Sequence, residues 1–169
     1  MMSIQARERF PRHSRVAPGL RPYPVDSARA KARLLVLAMI ADGRIDGAEL
    51  DGLMKRGAFA EVGITRNDFL EVLYEFGADL AGLPSNGFDV VVSPSLVRSL
   101  LAEIADDSQK IAMLRLIFDV IRSDGELAPA EARLFWNALD AWSLRVEDGR
   151  RHAVGSAAKA LPRHRRHAA

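Results

Sequence analysis

Two acidic turns, 82 residues apart, interrupt the apolar runs of this chain in the same way. The first reads IADGRIDGAEL over Ile40–Leu50, the second IRSDGELAPAE over Ile121–Glu131. Each has Asp-Gly, an aliphatic residue two positions after the Gly, and Glu six positions after it. In register, Asp42 falls on Asp124, Gly43 on Gly125, Ile45 on Leu127 and Glu49 on Glu131. The match extends to apolar positions on both sides: Leu35 on Ile117, Val36 on Phe118, Met39 on Ile121 and Leu53 on Phe135. The simplest fold with this pattern repeats one unit twice: a long buried helix, a turn opened by Gly, and a second helix.

The intervening sequence has the 3.6-residue apolar period of helices and no run long enough for a sheet. Asp26-Ser27 reads as a helix cap before a segment with Leu34, Leu37, Ala38 and Ala41 on one face. Asp46, with Glu49 three residues on, has capping-box spacing for the next helix. Thr65 starts another, and Asp107 a long one with Ile111, Leu114, Ile117 and Ile121 apolar. Pro129 occupies a first helical position, and Leu96–Ile104 is short and amphipathic. Residues 81–94 combine Gly, Pro and Asn and read as the most mobile internal loop. The expectation is an all-α fold of six to seven helices, in two pseudo-repeated helix-turn-helix halves.

Charge divides the chain into three. Residues 1–25 hold five Arg and one Glu, and 143–169 hold seven basic residues and two acids, while 26–142 carry a net charge of −7. The boundaries follow: a basic, disordered N-terminal arm over 1–25, a helical domain over 26–142 and a basic C-terminal tail over 143–169. Removal of residues 1–25 and 150–169 is expected to leave the melting temperature nearly unchanged. A basic tail can bind nucleic acid or an anionic membrane without specificity. No stretch approaches the roughly 20 apolar residues of a membrane span, and no apolar signal segment opens the chain, so a cytoplasmic protein is expected. All four His lie in the tails and there is no Cys. The domain therefore lacks the usual general base, nucleophile and soft metal ligands, and no enzyme activity is expected. Paired carboxylates could act as acid and base on a sugar, but the domain has only Trp136 and Trp142 as Trp, which suit packing or an interface better than a cleft.

The acids of the two turns are the candidate site: Asp42, Asp46 and Glu49 in the first, Asp124 and Glu131 in the second. Their spacing is that of the second half of an EF-hand loop, in which Gly allows a sharp turn and Glu supplies two oxygens to Ca²⁺. The first half is missing, because the positions of the first two ligands hold Ala38 and Ile40 in one copy and Val120 and Arg122 in the other. An ordinary EF-hand is excluded. Helix capping accounts for Gly43, Gly125, Asp46, Glu49 and Glu131, since an acid in a first turn gains about 0.3–1 kcal/mol from the helix dipole. It accounts less well for Asp42 and Asp124, which fall where a preceding helix presents its negative end. Two accounts stay open: caps alone, or a cluster that takes Ca²⁺ or another divalent cation weakly.

At these residues the sequence resembles the tellurite-resistance TerB-like family, small all-helical domains with paired Asp-Gly turns after hydrophobic helices. LAMIADGRIDGAEL and FDVIRSDGELAPAEARLF look like the two copies, and the resemblance covers about residues 27–142. It implies a bacterial stress-response module without catalysis, with pseudo-twofold halves that bring the acidic turns near each other. It also implies a protein partner in a membrane-associated system and, as an option, divalent-cation binding through Asp42, Glu49, Asp124 and Glu131. Asp46 has no counterpart, because Ala128 stands at the matching position.

Overall fold

A computed structural model describes residues 19–41, 47–83, 93–122 and 129–145, the side chains of Ala48 and Glu49 excepted. Seven helices and no strand occur among the described residues: α1 Ala28–Ile40, α2 Gly47–Lys55, α3 Ala58–Val62, α4 Arg66–Ala81, α5 Pro94–Leu101, α6 Asp107–Ile121 and α7 Pro129–Ala141. The protein is all-α. Most of the expected loop, residues 84–92, lies outside the described residues.

Local chemistry sets the helix starts. The hydroxyls of Ser27, Thr65 and Ser93 accept from the backbone N–H of Ala30, Asp68 and Leu96, and the Asp106 carboxylate accepts from Gln109. Each bond satisfies a donor that the first helical turn leaves unpaired. The short α3 is bracketed by Gly57 and Gly63 at φ 76° and 80°, left-handed conformations that a side chain would strain. α5 spans Pro94–Leu101, starting and ending earlier than the Leu96–Ile104 read from periodicity, because Ser93 caps it before Pro94 at its first turn. Ile104 stays buried in the turn that follows.

α1 is the axis of the fold. Its apolar residues were expected on one face, yet Leu34 through Met39 are all at most 1% exposed. A helix that is apolar all round is stable only when it is enclosed. α4 and α6 pack along α1, α5 and α3 also contact it, and α7 packs on α5 and α6. The principal partner of α2 is α3. Trp142, just past α7, donates from its indole N–H to the Leu101 carbonyl at 3.1 Å and so ties the end of α7 to the end of α5. Among the described residues no helix is long and apolar enough to cross a membrane.

The N-terminal boundary differs from expectation. Residues 19–25 are packed against the domain, and Leu20 and Tyr23 belong to its core. Asp26 anchors the segment: its N–H donates to the Glu103 carbonyl at 2.8 Å, and its carboxylate accepts from the N–H groups of Ala105 at 2.8 Å and Asp106 at 3.1 Å. These bonds hold Asp26 at φ 61°, a conformation Asp tolerates better than most residues. Net charge hid this segment, because Arg21 and four prolines over 1–25 resemble a solvated tail while Leu20 and Tyr23 are too few to show a period. Residues 1–18 and 146–169 lie outside the described residues.

Burying one large apolar side chain is worth about 1.5–3 kcal/mol. A chain that starts at residue 19 is therefore expected to melt like the full-length protein. One that starts at residue 27 is expected to lose several kcal/mol, at roughly 2–4 °C of melting temperature per kcal/mol. Thermal unfolding followed by circular dichroism measures both.

Candidate functional site

Of the five acids singled out, only Glu131 is described with its side chain. Asp42, Asp46 and Asp124 lie outside the described residues, and so does the side chain of Glu49. Glu131 is the third residue of α7, as Glu49 is the third of α2. It is 3% exposed, one of three charged residues buried to this extent among those described. A first-turn carboxylate faces the positive end of its helix, which lowers the penalty of burying it there. α1 and α6, the helices that lead into the two turns, pack on each other. Among the described residues, no three His, Cys, Asp or Glu side chains are placed to hold a metal ion together.

The other two buried charges, Arg33 and Glu103, face each other with no solvent exposure. Arg33 projects from the middle of α1. One terminal nitrogen donates to a Glu103 oxygen, and the other donates to the Arg21 carbonyl at 2.6 Å. Its guanidinium lies 4.3 Å from the ring centre of Tyr23, whose hydroxyl donates to Glu75. Glu75 also pairs with Arg21 at 3.0 Å and Arg29 at 3.1 Å, and Arg21 continues to Asp79 at 3.0 Å. Arg29 reaches Glu71 at 2.6 Å. The network joins α1, α4, the α5–α6 corner and the N-terminal segment. Arg33 Nε and Glu103 Oε2 are buried without a hydrogen-bond partner, so the central pair is only half satisfied.

The pKa directions follow from this geometry. Burial pushes the Glu103 carboxyl up, and Arg33 only partly offsets it. Burial, reinforced by the bond to Glu75, pushes the Tyr23 hydroxyl up to about 12. The Tyr23 hydroxyl, with Arg21 and Arg29, holds Glu75 below its ordinary value. Most of the donors and acceptors of the network are turned on one another. It is a clamp. Its signal in the sequence is the acidic stripe Glu71, Glu75 and Asp79 at four-residue spacing on α4. Like charges so spaced repel within a helix and call for cations from elsewhere.

Comparison with known proteins identifies no relative: no family model, no curated protein and no solved structure matches the chain. The functional reading therefore rests on the residues themselves. Of the two tryptophans, Trp142 is a packing residue, whereas Trp136 is 61% exposed beside Phe135 on α7.

Two measurements test the clamp. Removing one partner of a buried pair typically costs about 3–5 kcal/mol, whereas a well-packed apolar pair can be neutral. Arg33→Met is expected to lose that much at neutral pH, and Arg33→Met combined with Glu103→Leu to recover most of it, as read by denaturant unfolding. The Tyr23–Glu75 bond requires a protonated phenol and an ionised carboxylate. Unfolded Tyr ionises near pH 10, so this contribution is present below pH 10 and lost as pH rises toward about 12. The depressed Glu75 contributes stability above the ordinary Glu value of about 4.3, and that part is lost as pH falls through its folded pKa. Melting curves across pH are expected to fall at both flanks in the wild type, with both falls reduced in Tyr23→Phe.

Proposed function

We propose that this protein is a non-enzymatic binding module of the TerB-like kind, in which the acidic turns after α1 and α6 form one weak divalent-cation site. The observation that carries the reading is the buried carboxylate of Glu131 in the first turn of α7, at the position where the repeated motif sets its Glu. α2 and α7 begin at Gly47 and Pro129, the same 82-residue offset that relates the two motifs. The site would comprise Asp42, Asp46 and Glu49 from the first turn and Asp124 and Glu131 from the second. Five carboxylates in one cluster repel one another, and a hard cation such as Ca²⁺ relieves the repulsion. Calcium takes six to eight oxygens, so this set would bind it weakly, with Kd of about 10⁻⁴ M or poorer. A protein partner in a bacterial, membrane-associated stress response is the corresponding biological setting, and cytoplasmic location goes with it.

An adaptor that holds nucleic acid or an anionic membrane through its basic ends has less support. The charges it needs lie over 1–18 and 146–169, and Arg21 is already paired with Asp79 and Glu75.

Cation binding to the folded state raises stability by about 2.7 kcal/mol at a hundred times Kd. Millimolar Ca²⁺, Mg²⁺ or Mn²⁺ is therefore expected to raise the melting temperature. Asp42→Asn with Asp124→Asn is expected to abolish the response while stabilising the metal-free protein. An unmoved wild-type melting temperature, with the double variant less stable than wild type, makes these acids caps and nothing more.

A further inference from the structure

Residues 19–25 form no helix and lie over the buried Arg33–Glu103 pair. The Arg21 carbonyl accepts from Arg33 at 2.6 Å, and the Tyr23 ring centre is 4.3 Å from the guanidinium. Both charged side chains are fully buried, yet Arg33 Nε and Glu103 Oε2 have no hydrogen-bond partner among the described residues. A buried charged group short of a partner carries a desolvation penalty that contact with water removes. The segment therefore works against the two atoms whose burial it completes. Docked, it gains the burial of Leu20 and Tyr23. Lifted, it lets water reach the pair.

The two ends of the segment are held differently. Towards α4 the contacts run through side chains. The Arg21 backbone N–H donates to Asp79 at 3.1 Å, its guanidinium meets Glu75 at 3.0 Å, and the Tyr23 hydroxyl donates to Glu75. The side chains of Arg21 and Glu75 are 38% and 29% exposed, so water can replace their contact as it breaks. At the other end Asp26 is fixed to the α5–α6 corner by its own N–H and by the two N–H groups its carboxylate accepts. Next to it, the Ser27 hydroxyl caps α1 at the Ala30 N–H, a bond that does not involve residues 19–25. A segment anchored firmly at one end and held along its length by solvated side chains can open locally while the helices remain intact. We propose that residues 19–25 are a strap that swings away from α1 and α4 about Asp26 while the helices stay folded, opening the Arg33–Glu103 pair to solvent. This inference is independent of the cation reading, because none of its residues belongs to the acidic turns.

The test is hydrogen exchange of the full-length protein, followed by NMR at three places: the backbone N–H of Arg21, the side-chain Nε–H of Arg33 and the backbone N–H of Ala105. Arg21 N–H and Arg33 Nε–H are expected to exchange through one opening, with the same opening constant after correction for intrinsic rates and with little dependence on denaturant. Ala105 is expected to be at least about tenfold better protected, because Asp26 stays in place as the pivot. Glu75→Gln is expected to raise exchange at Arg21 and Arg33 at least about tenfold, the effect of losing charge-assisted bonds, and to leave Ala105 unchanged. Arg33→Met with Glu103→Leu separates a strap from a merely structural contact. It removes the atoms whose burial the strap completes, so Arg21 N–H is expected to exchange more slowly than in the wild type. A purely structural contact gives the opposite result, because the Arg21 carbonyl loses its donor. An Arg33 Nε–H that exchanges only on global unfolding, or through an opening that Arg21 does not share, overturns the proposal. Loss of Ala105 protection together with that of Arg21, or Arg21 exchange that is not slowed in the double variant, also overturns it.

Discussion

Arg33 sits in the middle of the most enclosed helix of the protein, and the rest of the architecture has to accommodate it. An unpaired guanidinium there would be prohibitively expensive to desolvate, so a carboxylate must meet it in the interior. Glu103 does so from the α5–α6 corner, which fixes where that corner lies against α1. The Arg21 carbonyl and the Tyr23 ring complete the enclosure, and they come from a segment with no regular structure of its own. The N-terminal segment is thus part of the domain because a buried charge on α1 requires polar and aromatic cover on that side.

From this pair the electrostatics spread outward to the surface. Tyr23 passes the contact to Glu75, and Arg21 and Arg29 extend it along the acidic stripe of α4. The outer members are partly solvated, and exposed pairs of this kind are worth less than about 1 kcal/mol each. Their effect is in register rather than strength, because they seat the segment in one position on α4. Asp26 does the same at the other end by accepting two backbone N–H groups that the α5–α6 corner leaves open. In the clamp every guanidinium has a carboxylate within the chain.

The acidic turns were legible as a motif but not as a site. Their spacing depends only on sequence neighbours, and the positions of Glu49 and Glu131 in the first turns of α2 and α7 follow from the helix starts. That Glu131 is nearly inaccessible does not follow from spacing, because burial depends on what packs over the first turn of α7. Trp136 and Trp142 make the same point. Six residues apart, one is exposed and the other donates into the α5 terminus, a difference that only the end of α7 decides.

The sequence by itself determined the all-helical class, most helix starts and the membership of most of the core. Those properties arise from local capping bonds and from the 3.6-residue period, both of which are written within a few residues of each position. Tertiary structure decided three other things: the enclosure of α1 on all sides from Ala32 to Met39, the pairing of Arg33 with Glu103 across 70 residues, and the docking of residues 19–25. Each depends on distant groups whose placement no local pattern encodes. A charge inside an apolar run shows that a partner is needed, and only the packed fold supplies it.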